Sequence, residues 1–360
     1  MSEVIHHIES IQIHRVCISD GLWGASNLFA KSLYPAGVQF HEYSDQKRAL
    51  CGWVMIQNAN IIGRMAAYLG QPNNEEALLQ MPKDELLIKG KKAFSGKVFL
   101  GNYECINNPV ASERLFEYVF NDLKHLGFNQ AIGPMTGNTW NDYRFKTSGE
   151  DLFLGESQQL EYYVNQWLKS GFRAIQNYHS TQITALDVVN EKIQVLARRL
   201  MEEGVVFRNV RMNQWQAELK RIYDLSLVSF AGNVLYEPIE WQEFRDKYLP
   251  LQRIADPQWI ELAENNQGAL IGFAFAIPNL MDPSNHGLVL KTVARSNHKS
   301  YRGLGLILAQ QLHLKAHQAG KKYVIHAYMH SGNASLACSN TLHGKINATY
   351  QLFEKTLDTA

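Results

Sequence analysis

The sequence has 360 residues, of which 46% are hydrophobic and 19% charged, with a formal net charge of +1. At roughly 150 residues per domain, this length predicts two domains, and the composition lets each bury a core. Proteins that bind nucleic acid usually have an excess of basic residues for the phosphates, and the near-neutral net charge shows no such excess. The short basic stretch from Lys89 to Lys92 is interpreted as a solvated loop. We therefore expect no nucleic-acid partner.

The cysteines, Cys17, Cys51, Cys105 and Cys338, are widely spaced and form no C-x-x-C pair. This spacing indicates neither a zinc site nor a disulfide framework, and it is typical of buried thiols in a reducing compartment. The most apolar stretch, Gly268–Pro278, is shorter than the ~20 residues of a membrane-spanning helix. The N-terminus lacks the apolar run of a signal peptide. We expect a cytoplasmic protein without a membrane partner or a metal.

The first half of the chain contains a predicted strand–helix–strand unit. A strand at Lys97–Tyr103 precedes a helix for which Asn108 is a suitable N-cap and Pro109 a suitable first residue. Gly127 ends this helix, and a short strand at Ala131–Ile132 follows. The apolar residues that recur at helical spacing are Leu115, Phe116, Val119, Phe120, Leu123 and Leu126.

The second half is predicted to begin after a boundary within residues 187–204, where Glu191–Glu203 indicates a helix. A strand, two helices and a β-hairpin follow, at Val205–Val210, Gln214–Phe230, Ile239–Tyr248, and Gln258–Ala263 with Ala269–Ala276.

The strand–helix–strand unit then occurs a second time. Strands at Leu288–Val293 and Tyr323–Tyr328 flank a helix that ends at Gly320. Its apolar residues recur every four positions, at Leu304, Leu308, Leu312 and Ala316. The glycines that end the two helices lie 193 residues apart (320 − 127), which is close to half the chain. This repeat predicts a duplicated domain, with limits at residues 1–190 and 191–360.

The second of these helices opens with Arg302, Gly303, Leu304, Gly305 and Leu306. Glycines let the backbone turn sharply and approach a ligand closely. The first amides of a helix are unpaired, and the helix dipole adds partial positive charge there. Together these features predict a diphosphate site. No acidic residue follows at the ~20-residue distance of a Rossmann unit, which disfavours a dinucleotide.

This segment resembles the cofactor motif of the GNAT (N-acetyltransferase) superfamily, R/Q-x-x-G-x-G/A, with Ile307 where the family prefers Gly or Ala. The resemblance continues through Tyr323–Tyr328, as the splayed fifth strand, and Asn333–Leu336, as the start of the next helix. The first half resembles the first domain of tandem GNAT proteins, with Asn107–Val110 in place of the glycine-arginine loop. The resemblance implies an α/β (α+β) fold of two tandem GNAT-like domains, each a mixed, mostly antiparallel twisted sheet flanked by helices. It also implies that the first domain is degenerate for the cofactor.

The implied cosubstrate is acetyl-CoA or another acyl-CoA, which would lie between the fourth and fifth strands of the second domain. Thr292, Val293, Ala294 and Asn333 would contact its pantetheine arm and thioester, and the loop from Arg302 to Leu306 its diphosphate. The implied activity is transfer of an acyl group to the amine of a small molecule or peptide by direct attack.

Direct attack requires a group that takes the proton of the amine and a group that protonates the leaving thiolate. The usual acid of the family is a Tyr seven residues after the Asn, and here that position is Asn340. Tyr328 and His330 are therefore the catalytic candidates. The sequence does not choose among three candidate bases, Glu237, Glu240 and Glu261.

Other groups are interpreted as structural. His313 and His317 have the spacing of metal ligands but no third ligand, so a solvated helix face is predicted. His326 and His330 would share one face of a regular strand. The aromatic residues of the first half are predicted to pack in its core or to line an acceptor pocket, namely Trp140, Tyr143, Tyr162, Tyr163 and Trp167.

Two alternatives to an N-acyltransferase stay open. Asn340 and Ile307 favour a non-catalytic acyl-CoA-binding or structural tandem-GNAT protein. A Fem-type aminoacyl transferase also pairs two GNAT-like folds, but its tRNA substrate requires a basic groove, which the charge disfavours. The sequence indicates neither the acceptor nor the oligomeric state.

Overall fold

The computed structural model describes residues 11–35, 47–70, 96–149, 153–253 and 255–357, and the basic stretch from Lys89 to Lys92 lies outside them. The described residues form two compact units. Unit 1 contains those within Met1–Thr147, Ser157–Gln176 and Gln351–Ala360, and unit 2 those within Ser148–Glu156 and Asn177–Tyr350. Unit 2 thus includes residues within 148–156 and 177–190, which precede the predicted domain boundary, and unit 1 includes residues within 351–357, which follow it. The boundary at residues 190 and 191 stays a prediction.

Unit 1 is built on a mixed sheet with helices beside it. Its strands are β1 (Gln12–Val16), β2 (Ala49–Gln57), β3 (Asn60–Tyr68), β4 (Lys97–Cys105) and β5 (Gln130–Gly133), followed by the end of β13 (Lys345–Thr356). Neighbours in this order pair antiparallel, except β4 and β5, which run parallel. The helices are α1 (Gly21–Ser32), α2 (Pro109–His125) and α3 (Tyr162–Lys169).

The apolar face of α2 explains its place in unit 1. The large apolar residues buried along it are Leu115, Phe116, Val119, Phe120 and Leu123. They pack in one cluster with side chains of β2, β3 and β4. Burial of each such side chain contributes about 1.5–3 kcal/mol, so this face fixes the helix on the sheet. Gly127, at φ +84°, follows the helix as predicted.

Unit 2 repeats this architecture. Its strand order is β8 (Val206–Asn209), β9 (Ile260–Glu264), β10 (Leu270–Pro278), β11 (Gly287–Arg295), β12 (Tyr323–His330) and the end of β7 (Arg173–Ile183). Only β11 and β12 run parallel among these pairs. The helices are α4 (Glu191–Glu202), α5 (Trp215–Phe230), α6 (Trp241–Tyr248), α7 (Leu304–Gln318) and α8 (Ala334–Thr341), and a short strand β6 (Phe145–Ser148) spans the unit boundary.

Helix α7 is the counterpart of α2. Its residues at every fourth position are buried, namely Leu304, Leu308, Leu312 and Ala316. In each unit a buried helix connects two parallel neighbouring strands, β4 and β5 in one and β11 and β12 in the other. The predicted strand–helix–strand repeat is thereby confirmed. Across the described ranges, no helix combines the length and apolar character needed to cross a membrane.

Candidate functional site

The strands β11 and β12 of unit 2 separate partway along their length. Their pairing ends at Leu290 and His326. Beyond this point β11 continues along β10 as far as Arg295, whereas β12 continues along β7. A gap therefore opens between the two parallel strands. The residues of β11 on this open stretch are Lys291, Thr292, Val293, Ala294 and Arg295.

A β-bulge marks the point of separation. Thr292 pairs with Phe275 and Leu290 pairs with Ala276, so Lys291 is the extra residue on β11. Bulges bend a strand and redirect its side chains, and they are over-represented next to active sites. The bulge therefore lies directly after Leu290, the last residue of β11 that pairs with β12.

The N-terminus of α7 has no side-chain cap. Gly303 is the N-cap residue, in the left-handed region at φ +90°. Its carbonyl oxygen accepts from the amides of Leu306 at 3.0 Å and Ile307 at 3.2 Å. For the amides of Leu304 and Gly305, the described part of the chain supplies no acceptor. Two helix amides and the positive end of the dipole are therefore available to an anion.

This N-terminus lies against the open stretch of β11. A Cβ atom added at Gly305 would be 3.2 Å from Cγ1 of Val293, so only a small residue allows this approach. The side chain of Arg302 is exposed beside the loop. Ile307 is 1% exposed and packs in the core, so its side chain does not narrow the loop. A loop with two amides that are unpaired among the described residues, next to a strand gap, fits the diphosphate and the extended arm of acyl-CoA.

In unit 1, the N-terminus of α2 and the space beside β4 are occupied by groups of the protein itself. Oδ1 of Asn108 accepts from the amides of Val110 and Ala111 at 2.9 and 3.2 Å, and Pro109 has no amide hydrogen. After β5 the chain stays beside β4, where the amide of Met135 donates to the carbonyl of Leu100 at 2.7 Å. Unit 1 therefore has a capped helix and closed strands where unit 2 has an open helix and a gap.

Tyr328 lies on β12 in an unusual backbone conformation. Its φ is +59°, and the pairing of β12 with β7 shifts between His326 and Met329. The hydroxyl donates to the carbonyl of Gly155 at 3.1 Å. The ring lies 5.3 Å from that of Phe153, centroid to centroid. Its neighbours thus include a segment that the sequence did not associate with it.

His330 ends β12. Its Nδ1 atom accepts a hydrogen bond from the amide of Gly332 at 3.1 Å, and its ring meets that of Tyr178 edge-on at 5.2 Å. Burial lowers the pKa of His330, which favours the neutral ring. Because Nδ1 is an acceptor, the proton of the neutral ring is on Nε2. His330 is therefore a hydrogen-bond donor at Nε2.

The start of α8 is linked to the turn after α5. The amide nitrogen Nδ2 of Asn333 donates to Oδ1 of Asn233 at 3.2 Å. Asn340, at the position where the resemblance places a tyrosine acid, is exposed on α8. This helix position therefore has no phenol group.

The three candidate bases have different surroundings. Glu261 is buried on β9, which is separated from β12 by β10 and β11, and its carboxylate lies 3.0 Å from Nζ of Lys315. Burial raises the pKa of Glu261. Glu237 is half-buried between α5 and α6, and Glu240 is exposed immediately before α6. Glu261 neutralises a lysine, which accounts for its place in the fold.

One of the two histidines of α7 differs from expectation. His313 is buried, and its Nε2 lies 2.9 Å from Nε2 of His326 on β12, whereas His317 is exposed. The predicted solvated face is therefore wrong for His313. Burial lowers the pKa of His313 to about 4, so the pair is neutral at pH 7. Within the described ranges, no group of three or more His, Cys, Asp or Glu side chains could hold a metal ion.

The aromatic residues of unit 1 differ in how deeply they are buried. Tyr163 and Trp167 are buried in the core, as one of the two interpretations predicted. Trp140, Tyr143 and Tyr162 are half-buried.

Solved structures share this architecture. The chain resembles the GCN5-related glucosamine N-acetyltransferase region of a fungal multi-domain β-N-acetylglucosaminidase, with a TM-score of 0.54 and 12% identity, over 96% of this chain and 38% of that one. A GCN5-related N-acetyltransferase from Sphaerobacter thermophilus has a TM-score of 0.50 at 10% identity, over 96% of both chains. A tandem GNAT protein of the clavulanic acid biosynthesis pathway has a TM-score of 0.50 at 11% identity, over 98% of this chain and 100% of that one.

These similarities identify the fold of the chain. The chain has the tandem GNAT fold, a mixed and mainly antiparallel sheet flanked by helices in each unit. It spans only 38% of the fungal enzyme that it resembles. No protein-family model matches the sequence, and no curated protein matches it either.

Proposed function

We propose that this chain is an acyl-CoA-dependent N-acyltransferase whose site lies in unit 2, with acetyl-CoA as the cosubstrate to test first. The observation that carries the proposal is the uncapped N-terminus of α7, with Gly303 in the left-handed region, beside the gap between β11 and β12. A helix N-terminus binds phosphate oxygens, and a strand edge binds the amides of an extended arm. The acceptor is the amine of a small molecule or peptide, and the four widely spaced thiols favour a cytoplasmic location.

In this proposal the residues of the site have separate roles. The diphosphate is held by the loop Arg302, Gly303, Leu304, Gly305 and Leu306, with the amides of Leu304 and Gly305 foremost. The backbone of Thr292, Val293 and Ala294 holds the pantetheine arm, and Asn333 borders it.

The reaction needs two proton movements. The acceptor amine loses a proton as its nitrogen bonds to the acyl carbon, and the departing sulfur gains one as the C–S bond breaks. Acyl-CoA supplies the acyl group as a thioester. We assign His330 as a hydrogen-bond donor through Nε2, because its Nδ1 is occupied by the amide of Gly332. The Nε2–H group stabilises the departing sulfur, which takes up the proton that the attacking amine releases. Tyr328 is the second candidate, although its hydroxyl must leave the carbonyl of Gly155 to act as an acid.

The proposal includes the fate of unit 1. Because Asn108 caps α2 and Pro109 lacks an amide hydrogen, we propose that unit 1 no longer binds the cosubstrate. The modules 1–190 and 191–360 would then be two copies of one ancestral unit, of which the second keeps the site.

A second candidate function is non-catalytic acyl-CoA binding. Two observations favour it: Asn340 replaces the tyrosine acid of the family, and the hydroxyl of Tyr328 already donates to a carbonyl group. This alternative requires the same cosubstrate site and differs only in the absence of turnover.

Calorimetric titration of acetyl-CoA tests the proposal. The variant Arg302→Glu with Gly305→Glu places two acids at the N-terminus of α7. The control variant, Val110→Glu with Arg114→Glu, makes the same change of charge on α2, where Val110 holds the same second helical position as Gly305. We expect binding by the wild type and the control, and loss of binding in the α7 variant.

The outcomes separate the candidates. If the wild type binds neither acetyl-CoA nor longer acyl-CoAs, the proposed cosubstrate site is refuted. If it binds, a panel of amines is then added and release of free CoA thiol is measured. Turnover with any amine supports the transferase, whereas binding without turnover across the panel favours the non-catalytic alternative.

A further inference from the structure

The backbone of Tyr328 requires support from its neighbours. A residue other than glycine in the left-handed region costs about 1–2 kcal/mol, and such residues persist where the surroundings hold them in place. Tyr328 has φ +59° at the bulge of β12. The groups that hold it come from β7, from β13 and from the segment Phe153–Glu156.

A directed chain of hydrogen bonds begins at the amide of Tyr328. This amide donates to Oγ of Ser180 at 3.3 Å, and the hydroxyl of Ser180 donates to the phenol oxygen of Tyr350 at 3.2 Å. The hydroxyl of Tyr350 donates to the carboxylate of Glu156. Ser180, Tyr350 and Glu156 are buried. Because every donor points the same way, the carboxylate at the end polarises the whole chain and strengthens each bond.

The side chain of Tyr328 is held by the same segment. Its ring meets that of Tyr350 edge-on at 5.1 Å and that of Phe153 at 5.3 Å. Nζ of Lys291, at the bulge of β11, lies 4.8 Å from the ring centroid. Nζ also donates to the carbonyl of Gly155 at 3.0 Å, the carbonyl that accepts from the hydroxyl of Tyr328. The segment therefore contacts both strands that border the gap.

The bulge changes which face of β12 Tyr328 occupies. In a regular strand, Tyr328 would share a face with His326, two residues before it. His326 instead contacts His313 on α7, while Tyr328 contacts Phe153, which packs with Val289 and Ile325. The bulge, held by Ser180, thus directs Tyr328 away from α7.

We propose that Glu156 is a positioning residue for Tyr328, acting through Tyr350 and Ser180. The catalytic consequence rests on the proposed function of unit 2, whereas the structural part does not. Glu156 belongs to the predicted module 1–190 but lies in unit 2. The candidate site of the second module is therefore completed by residues that precede that module in the chain.

Amide hydrogen exchange of Tyr328, measured by NMR on the full chain, tests the structural part. We expect exchange of this amide to accelerate about tenfold in Ser180→Ala and Tyr350→Phe, because local opening becomes easier when the series of hydrogen bonds is interrupted. Glu156→Gln should shift the Tyr328 amide proton upfield, because the charge that polarises the chain is removed. Ser331→Ala is the control, since Ser331 lies beside β7 and donates to Asn177 instead. An unchanged Tyr328 amide in folded variants overturns the proposal.

Kinetics test the catalytic part. For Glu156→Gln and Tyr350→Phe, we expect kcat to fall about tenfold or more. Both variants displace Tyr328, the second catalytic candidate, and misplacement of a reacting group lowers the rate. The Kd for acetyl-CoA should stay within about twofold, and Glu156→Asp should recover part of kcat. If the wild type is active, variants whose kcat and pH profile equal those of the wild type would overturn the catalytic part. If the wild type does not bind acetyl-CoA, the proposed function fails, and the exchange of the Tyr328 amide still decides the positioning role.

Discussion

The Oδ1 atom of Asn108 accepts a hydrogen bond from the amide of Val110 at 2.9 Å, at the start of α2. The side chain thereby occupies the position at which an anion would meet the N-terminus of this helix. At the start of α7, Gly303 has the same N-cap position and no side chain. The difference between an asparagine and a glycine at the cap therefore distinguishes the closed helix of unit 1 from the open helix of unit 2.

Asn108→Ala should destabilise unit 1 by about 1 kcal/mol, the usual effect of removing an N-cap side chain. The Kd for acetyl-CoA should not change, because the proposed site lies in unit 2. Urea unfolding and calorimetric titration measure the two quantities. Asn108→Gly is the control, since glycine at an N-cap costs only a few tenths of a kcal/mol. Weaker acetyl-CoA binding in the alanine variant would contradict the proposal that the cosubstrate binds in unit 2 and not at α2.

Gly303→Ala should weaken acetyl-CoA binding by about tenfold, or 1.4 kcal/mol. The left-handed conformation at φ +90° disfavours a side chain, and the added Cβ would lie 2.3 Å from Cδ2 of Leu196. Because Leu196 can move its side chain, we expect the backbone strain at φ +90° to be what shifts the first amides of α7. Gly320→Ala is the matched control, because Gly320 follows the same helix at φ +76° with open space around it. Both variants should lose stability, and calorimetry should detect weaker binding only in Gly303→Ala.

His330→Asn should lower kcat by about 10²–10³-fold, the usual effect of removing one hydrogen-bond donor from an active site. Asparagine can keep the bond to the amide of Gly332 but has no group at the position of Nε2. His330→Gln places an amide donor near that position and should retain more activity. Initial rates of thiol release, with the amine found in the panel, compare the two variants. Equal rates in the two variants would exclude a catalytic role for the hydrogen bond that Nε2 of His330 donates.

Local patterns predicted much of the fold. The spacing of Leu304, Leu308 and Leu312 predicted the buried face of α7, and all three are buried. Gly320 ended the helix as expected. Such features depend on residues within a few positions of one another, so the sequence displays them directly. The loop residues Gly303 and Gly305 belong to this class, because a helix N-terminus is a local structure.

The surroundings of Tyr328 could not be predicted in the same way. Glu156 and Tyr350 lie 194 residues apart in the chain, and no local spacing relates them. The bulge in β12 shifts the alternation of side chains, which a regular strand pattern does not contain. His313 was assigned to solvent for a related reason, since its partner His326 belongs to a different element.

Glu104 should make unit 1 less stable as pH rises. Its carboxylate is buried on β4 and accepts hydrogen bonds from the hydroxyls of Tyr163 at 2.5 Å and Tyr34 at 3.0 Å. Burial raises the pKa of Glu104 to about 7 from 4.5. The folded protein then binds the proton more tightly than the unfolded chain does, so this contribution is full below pH 4.5 and is lost as pH rises through 7.

Glu104→Gln removes this titration. Urea unfolding of wild type and variant between pH 4.5 and 8 should show that the wild type loses about 3 kcal/mol relative to the variant over this range. The comparison cancels the contribution of other groups, including the buried His313. Parallel stability curves would show that Glu104 has the same pKa in the folded and unfolded states.

Arg208→Met should destabilise unit 2 by about 2 kcal/mol, because it removes one of the two arginine partners of a buried charge, while Arg221 stays paired with it. The guanidinium of Arg208 lies 2.7 Å from the carboxylate of Glu218, which is 2% exposed, and 2.5 Å from that of Glu264. Arg208, together with Arg221, lowers the pKa of Glu264 to about 2, so the variant should lose most stability where the Glu264 carboxylate is ionised. Arg199→Met breaks an exposed ion pair with Glu203 and should change stability by at most about 0.5 kcal/mol. Equal losses in urea unfolding at pH 7 would mean that burial of Glu218 does not govern the strength of its ion pair.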